Sequence, residues 1–242
     1  SYRKLFDHFQ PQLLVGLTAT PERMDGKDLR PDFGNRISAE IRLPQALQAG
    51  LLTPFQYLCI SDDTDLSDDS LWSGQKYNIE RLADKLCAKT RARLIVDALH
   101  KYLADEYTCR ALCFCVNKRH ADFMAEQLRL YGFNAQSLTS DTPADERKQL
   151  AKDHREGTLH YLCIVDIFNE GEDIPEVDTV LFLRPTESLT IFLQQLGRGL
   201  RLSAGKTELT VLDFVAQANR KYDFASRFRA LTLQPEKNIQ KQ

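Results

Sequence analysis

The sequence predicts an α/β fold in which a parallel β-sheet is flanked by helices. From residue 111 onward, apolar runs of strand length alternate with segments in which apolar residues recur at helical spacing. Strands that alternate with helices in this way are joined by crossover connections, which produce a parallel sheet covered by helices. The chain has 242 residues, of which 43% are hydrophobic, and is therefore long enough to bury a large core.

Five strands and three connecting helices are predicted in this alternating region. The strands are expected at residues 111–116, 135–138, 161–165, 179–183 and 209–212. The connecting helices are expected at residues 118–131, 143–155 and 189–200. Upstream elements are expected as a short helix at 44–49 ending at Gly50, a strand at 55–60, and a helix from residue 79 to about residue 107.

The first 54 residues are expected to be the C-terminal remnant of another domain. The apolar run at residues 13–17 predicts a buried strand, and a single strand cannot form a sheet. Residues 55–233 are expected to form the main domain, and residues 234–242 a polar tail. The acidic segment 62–65 lacks the glycine and glutamate of an EF-hand, so it is expected to be a solvated loop.

Composition limits the classes of function. The net charge of -2 gives no general attraction for phosphate backbones, so any contact with nucleic acid must be local. No apolar run approaches the roughly 18 residues of a membrane span, and a cytoplasmic protein without membrane contact is expected. The cysteines and histidines lack the spacing of a metal site, so no metal site is expected.

Trp72 is expected to pack against the domain rather than stack on a base.

The strongest functional signal is the segment 194–201, which reads QQLGRGLR. Its glycines each cost a helix roughly 1 kcal/mol relative to alanine, and its arginines repel each other, so the segment is poor helix sequence. Gln194, Arg198 and Arg201 are expected to converge on an anion such as a terminal phosphate. The alternative is a frayed helix end with solvated arginines.

A second signal is the acidic turn at residues 165–175. Gly171 permits a sharp turn, and the Asp173 carboxylate that follows is suited to accept hydrogen bonds from a ribose hydroxyl. Exposed backbone amides in this turn are suited to meet a phosphodiester. An ordinary acidic turn without function is the alternative.

Together these segments resemble the superfamily 2 helicases in order and spacing. Residues 17–21 (LTATP) resemble motif III, and 112–117 resemble motif IV. Residues 137–141 resemble the strand-end phosphate contact, 171–175 motif V, and 194–201 the Q-x-x-G-R-x-x-R pattern of motif VI. The segments FNEGEDIPEVDT and RPTES are most similar to those of bacterial DNA-repair helicases that often carry a phospholipase-D-type nuclease domain.

The resemblance implies two RecA-like domains that clamp ATP and Mg²⁺ between them, with nucleic acid lying across both. This chain would supply the second domain and the tail of the first. Arg201 would be the arginine finger, with Arg198 beside it at the γ-phosphate and Gln194 placing both. Gly171 and Asp173 would contact the nucleotide.

The resemblance also assigns residues to coupling and to the nucleic acid, for which it favours DNA. Thr18 and Thr20 would link the state of the phosphates to movement of the two domains. Asn117, Thr139, Ser140 and the backbone near Asp166 would hold phosphates rather than bases, which implies little sequence preference.

The sequence lacks both the phosphate loop G-x-x-x-x-G-K-[ST] and a D-E-x-H motif for magnesium. Both are expected upstream, in a first RecA-like domain, so the 242-residue chain alone is expected to have no ATPase activity.

The alternatives to a DNA helicase are a non-catalytic nucleic-acid-binding module, an RNA helicase fragment, or a nucleotide or phosphosugar enzyme on a doubly wound sheet. The last lacks a G-x-G-x-x-G or G-x-S-x-G motif.

Overall fold

The computed structural model describes residues 2–17, 30–74, 76–165, 174–185 and 189–218. Its central feature is a six-stranded sheet in which every neighbouring pair of strands is parallel. The described strands, numbered along the chain, are β1 (Phe55–Leu66), β2 (Trp72–Ser73), β3 (Lys76–Tyr77), β4 (Ala111–Phe114), β5 (Ala135–Leu138), β6 (Tyr161–Ile164), β7 (Thr179–Phe182) and β8 (Leu209–Ala218). The six strands are ordered β1-β8-β7-β4-β6-β5, and β2 pairs with β3 separately.

Helices precede the sheet and connect its strands. The described α-helices are α1 (Tyr2–Phe9), α2 (Leu43–Gln48), α3 (Ile79–Leu86), α4 (Lys89–Tyr102), α5 (Lys118–Leu130), α6 (Ala144–Glu156) and α7 (Leu189–Gly199). None of these helices is long and apolar enough to cross a membrane. The fold class predicted from the sequence, a parallel sheet flanked by helices, is therefore confirmed.

The central strands β4, β6 and β7 are buried on both faces, to which alternate residues of a strand point. On β4, Cys113 belongs to one core and its neighbours Leu112 and Phe114 to the other. The first core is closed by α4 and α5, through Ile95, Leu99, Met124 and Leu128. The second core is closed by α6 and α7, through Ala151, Phe192 and Leu196. Burial on both faces explains why these three strands are continuous apolar runs in the sequence.

Most elements lie close to their predicted positions. The strand at 135–138 matches the prediction, and the other predicted strands of the alternating region begin where expected. β8 continues well beyond residue 212 because it pairs along the length of β1. Gly50, with φ of 66°, follows α2 as the left-handed residue that was predicted to end it. Trp72 packs its ring against Tyr77, with ring centroids 4.2 Å apart.

The single helix predicted from residue 79 to about residue 107 is wrong. The chain forms two helices, α3 and α4, which are separated by Cys87 and Ala88, and α4 ends at Tyr102. Asn78 caps α3 by accepting a hydrogen bond from the backbone N–H of Arg81. The apolar spacing continues across the break because both helices turn apolar faces inward, so periodicity did not reveal it.

The buried strand predicted at residues 13–17 is also absent. These residues are outside any strand, and the side chains of Leu13, Val15 and Leu17 are exposed. No described strand lies beside them, so their backbone groups have no ladder to join.

The acidic segment 62–65 was predicted to be a solvated loop, and this is a further correction. The segment continues β1 through an irregularity between Asp62 and Asp65. The Asp62 carboxylate accepts a 2.6 Å hydrogen bond from Nε of Arg91, and both side chains are 2% exposed. Burial alone would raise the pKa of Asp62, but Arg91 and the hydrogen bonds from Thr64 hold it below its usual value. The sequence pattern did not identify this partner because the two residues lie on separate elements.

Two histidines are buried in the neutral form. His154 on α6 lies within hydrogen-bond distance of the Ala111 carbonyl, 3.1 Å from its Nε2. The backbone N–H of Val116 donates to Nδ1 of His120 over 3.2 Å. Burial lowers the pKa of His154 to about 4 and that of His120 to about 3. The apolar run at residues 111–116 predicts core positions for Cys113 and Cys115, and both are buried.

Replacement of Asp62 by Asn is expected to destabilise the chain by about 3 kcal/mol, since it leaves the buried guanidinium of Arg91 without a counter-charge. Asp63 is the matched control, because it is exposed on the same strand. Asp63→Asn should change the free energy of unfolding by less than about 0.5 kcal/mol. Urea unfolding of the two variants measures the difference, and equal stabilities would contradict the role of the ion pair.

Stability is expected to fall as the pH drops below about 6.5, the ordinary pKa of histidine. Between pH 6.5 and about 4 the unfolded chain takes up a proton that folded His154 does not, so unfolding becomes more favourable. His154→Gln should remove about 2 kcal/mol of the stability lost between pH 7.5 and 5. His8→Gln, at an exposed position, should leave that loss unchanged. An unaltered loss in His154→Gln, measured by urea unfolding at both pH values, would disprove this account.

Candidate functional site

The last turns of α7 present the residues predicted to meet an anion. Gln194 is exposed and Arg198 is half-buried, one turn further along the helix. Burial lowers the pKa of Arg198. The predicted helix at 189–200 is confirmed, and α7 ends at Gly199, so Arg201 lies in the turn that follows. Arg201 is exposed there.

Gly199 allows α7 to approach the sheet closely. A Cβ atom at this position would lie 2.6 Å from Cδ1 of Leu209 and 3.1 Å from Cγ2 of Val180, which is closer than side chains pack. Leu209 and Val180 are fully buried and have little room to move. A Cβ atom at Gly197 would instead have open space around it. Close packing against the sheet therefore explains why a glycine stands at position 199, although it weakens the helix.

The turn that carries Arg201 is bound by two residues from outside the helix. Lys206 donates from Nζ to the carbonyls of Gly199 and of Arg201, the latter at 3.0 Å. Thr53 donates from its backbone N–H to the Leu200 carbonyl over 2.8 Å, and from Oγ1 to the Arg201 carbonyl over 2.9 Å. Three successive carbonyls therefore accept hydrogen bonds, from Lys206 across the turn and from Thr53, which is distant in the sequence.

Lys206 also donates to the carbonyl of Pro175, 3.2 Å away, before β7. Burial lowers the pKa of Lys206 to about 8, opposed by the charges of Asp178 and Glu176. The ammonium thus stands partly removed from water and makes hydrogen bonds with protein carbonyls.

These contacts place the Arg201 turn at the amino-terminal edge of the sheet. Its partners Thr53, Pro175 and Leu209 lie before or at the start of β1, β7 and β8. Parallel sheets usually bind ligands beyond the carboxyl ends of their strands, and this rule predicts that position for the polar residues of the site; the prediction is wrong for this group. The reason is that α7 follows the carboxyl end of β7 and returns toward the opposite edge before β8 begins.

Of the residues expected to contact nucleic acid, Asn117, Thr139 and Ser140 lie at the carboxyl edge. Asn117 follows β4 and caps α5, accepting a hydrogen bond from the backbone N–H of His120 over 3.0 Å. Its Nδ2 donates to Oε1 of Glu80 over 3.1 Å. The side-chain amide is thus already used within the protein.

Thr139 and Ser140 follow β5 at the same edge. Thr139 is 6% exposed, and its backbone N–H donates to Oγ1 of Thr142, whereas Ser140 is exposed. Lys118 joins this loop to the start of α5 through a 2.5 Å ion pair with Asp141. The structure therefore brings the loops after β4 and β5 together, and separates them from the Arg201 turn by the length of the sheet.

Five residues predicted for the site lie outside the described residues, and their positions stay predictions. These residues are Thr18, Thr20, Asp166, Gly171 and Asp173. Within the described part of the chain, no group of His, Cys, Asp and Glu is arranged to hold a metal ion.

Three residues of these regions were not identified from the sequence. Lys118 had a usable signal, since it is basic and follows a strand end directly. Lys206 and Thr53 had none, because their partners are backbone carbonyls that are distant in sequence or lie across a turn.

Comparison with known families decides the class of protein. The family of the helicase conserved C-terminal domain matches residues 74–203, which is more than half of the chain. The chain belongs to this family. The resemblance to superfamily 2 helicases is thereby confirmed, and so is the predicted RecA-like fold.

Relatives of this helicase domain come from phage, yeast and bacteria. A 51.5 kDa protein of a Lactococcus phage is 28% identical over 87% of this chain. A Saccharomyces cerevisiae protein provisionally named ATP-dependent helicase IRC3 is 27% identical over 90% of this chain. The chain spans 45% of the phage protein and 32% of the yeast protein, less than half of either.

A solved structure shares the fold of the helicase domain. It is a fragment from Vibrio vulnificus YJ016, provisionally assigned as the HsdR subunit of a type I restriction enzyme. It superposes with a TM-score of 0.69 and 24% sequence identity, and covers 97% of this chain and 45% of that one.

Substitution of the two helix glycines by alanine is expected to have opposite effects. Gly199→Ala should destabilise the chain by about 1 to 3 kcal/mol, because the new methyl group overpacks against Leu209 and Val180. Gly197→Ala meets open space and should stabilise α7 by up to about 1 kcal/mol. Urea unfolding of both variants measures the contrast. Gly199→Ala as stable as Gly197→Ala would contradict the close approach of α7 to the sheet.

Proposed function

We propose that this chain is the second RecA-like domain of an ATP-dependent DNA helicase or translocase, with Arg201 as its arginine finger. The observation that carries the proposal is the Arg201 turn, where an exposed arginine follows a helix bearing Arg198 and Gln194. Two guanidinium groups and an amide form a donor set suited to phosphate oxygens. Family membership supplies the class of reaction.

The separation of the two groups of candidate residues supports a motor. The nucleotide would lie at the amino-terminal edge, where the Arg201 turn faces a first RecA-like domain supplied upstream. Phosphates of the nucleic acid would lie at the carboxyl edge, near Ser140 and Lys118. A domain that contacts both ligands at opposite edges transmits rigid-body rotation from one to the other.

Phosphate contact at the carboxyl edge would be independent of base sequence, as translocation along a strand requires. Thr139 and Asn117 would shape this edge, while Ser140 and Lys118 would reach the polymer. DNA is favoured over RNA because one relative is the endonuclease subunit of the EcoKI type I restriction enzyme of Escherichia coli. Mg²⁺ would be held mainly by the upstream domain, since the D-E-x-H type of magnesium-binding motif is expected there.

Arg201→Ala is expected to lower kcat for ATP hydrolysis by about 10³-fold or more, since an arginine finger stabilises charge that spreads over the transferred phosphoryl group. The experiment uses the complete protein, with the upstream region that carries the phosphate loop, and compares single-stranded DNA, duplex DNA and RNA as stimulators. The KM for ATP should change much less than kcat, because the contact strengthens in the transition state.

Arg93→Ala is the control, because Arg93 is exposed on α4 and lies outside both candidate regions. Its kcat should match that of the unmodified protein. Three results count against the proposal: unchanged turnover in Arg201→Ala, absence of stimulation by any nucleic acid, or ATP hydrolysis by the 242-residue chain alone that Arg201→Ala abolishes.

A further inference from the structure

The end of α7 is held in an unusual way for a helix. The last carbonyls of a helix lack partners within it, and a left-handed glycine commonly supplies the cap that satisfies them. α6 ends with such a glycine, Gly157, which has a φ of 79°. Neither Leu200 nor Arg201 has a positive φ. The cap of α7 is instead made by a lysine and a threonine.

The two capping residues converge on one atom. The carbonyl oxygen of Arg201 accepts from Nζ of Lys206 over 3.0 Å and from Oγ1 of Thr53 over 2.9 Å. The Leu200 carbonyl on one side is bound by the backbone N–H of Thr53. Thr53 is 1% exposed, so its hydrogen bonds to the turn are shielded from water. The backbone of Arg201 is therefore fixed although its side chain is exposed.

Lys206 connects this turn to the segment preceding β7. Its ammonium reaches the carbonyls of Gly199 and Pro175, which lie on different elements. Pro175 ends the segment 165–175, which the sequence predicts to be an acidic turn carrying Asp173, the residue expected to meet the ribose. One cation thus links the ends of the two segments that are proposed to bind the nucleotide.

We propose that Lys206, assisted by Thr53, is a positioning residue for the arginine finger, fixing the Arg201 turn so that its guanidinium meets the terminal phosphate. The inference rests on the proposed function of Arg201 and adds the residues that orient it. A guanidinium on a loosened turn would be displaced from the phosphate, and displacement of about 1 Å costs on the order of 10²-fold in rate.

The test compares Lys206→Met with Thr53→Val in the complete protein with DNA. Methionine keeps the length of the side chain and removes the ammonium, whereas valine keeps the shape of threonine and removes one hydrogen bond. Lys206→Met is expected to lower kcat by about 10- to 100-fold and to leave the KM for ATP within about threefold. Thr53→Val should lower kcat in the same direction by a smaller factor. Lys152→Met, at an exposed position on α6, should leave kcat unchanged.

A second comparison separates positioning from general destabilisation. The variants are assayed well below their melting temperatures, in single turnover with enzyme in excess, so that low rates remain measurable. If Lys206 acts through Arg201, Lys206→Met should add no further loss in the Arg201→Ala background, because the two effects are not additive.

The outcomes divide clearly. The inference is overturned if Lys206→Met and Thr53→Val both keep kcat within about twofold while Arg201→Ala abolishes it. It is overturned equally if Lys206→Met lowers the rate by the same factor with and without Arg201. Should Lys206→Met fail to fold, Thr53→Val alone decides by the same criteria. Unchanged turnover in Arg201→Ala would instead reject the proposed function itself.

Discussion

The close packing of α7 on the sheet determines where the candidate arginines lie. Gly199 faces Leu209 and Val180 at distances that admit no side chain, so α7 lies directly on β7 and β8. Because the helix returns from the carboxyl edge, this contact places Arg198 and the Arg201 turn near the opposite edge. The distance between the arginines and the loops after β4 and β5 follows from the same packing.

A parallel sheet with helices on both faces makes such a separation natural. Loops that follow strands gather at one edge, and the ends of the returning helices gather at the other. In this chain both groups contain residues suited to phosphate, the hydroxyl of Ser140 at one edge and the guanidinium of Arg201 at the other. In the proposed function, a single domain would contact two phosphate-bearing ligands at once, and its core of buried residues would keep the two contact regions in fixed relation.

Much of this arrangement was predictable from sequence because it depends on local patterns. Apolar runs identify β4, β6 and β7 because both faces of these strands are buried, and helical spacing identifies α5 to α7. What failed depends on distant partners. A loop was predicted for the aspartates after residue 61, because the sequence does not show that Arg91 is the counter-ion of Asp62. A strand was predicted at residues 13–17, although no described strand lies beside them. The resemblance to the family motifs identified Arg201 as a candidate, whereas the contacts of Lys206 and Thr53 are visible only in the structure.

The acidic end of β1 has a consequence for association between molecules. β1 is an outer strand of the sheet, with one neighbour among the described residues. Outer strands of parallel sheets invite pairing with strands of other chains, which leads to aggregation. The irregularity between Asp62 and Asp65 interrupts the regular hydrogen-bonding pattern, and the exposed carboxylates of Asp63 and Asp65 would repel a second copy aligned beside them. The aspartates that complete this strand therefore also discourage its extension by another molecule.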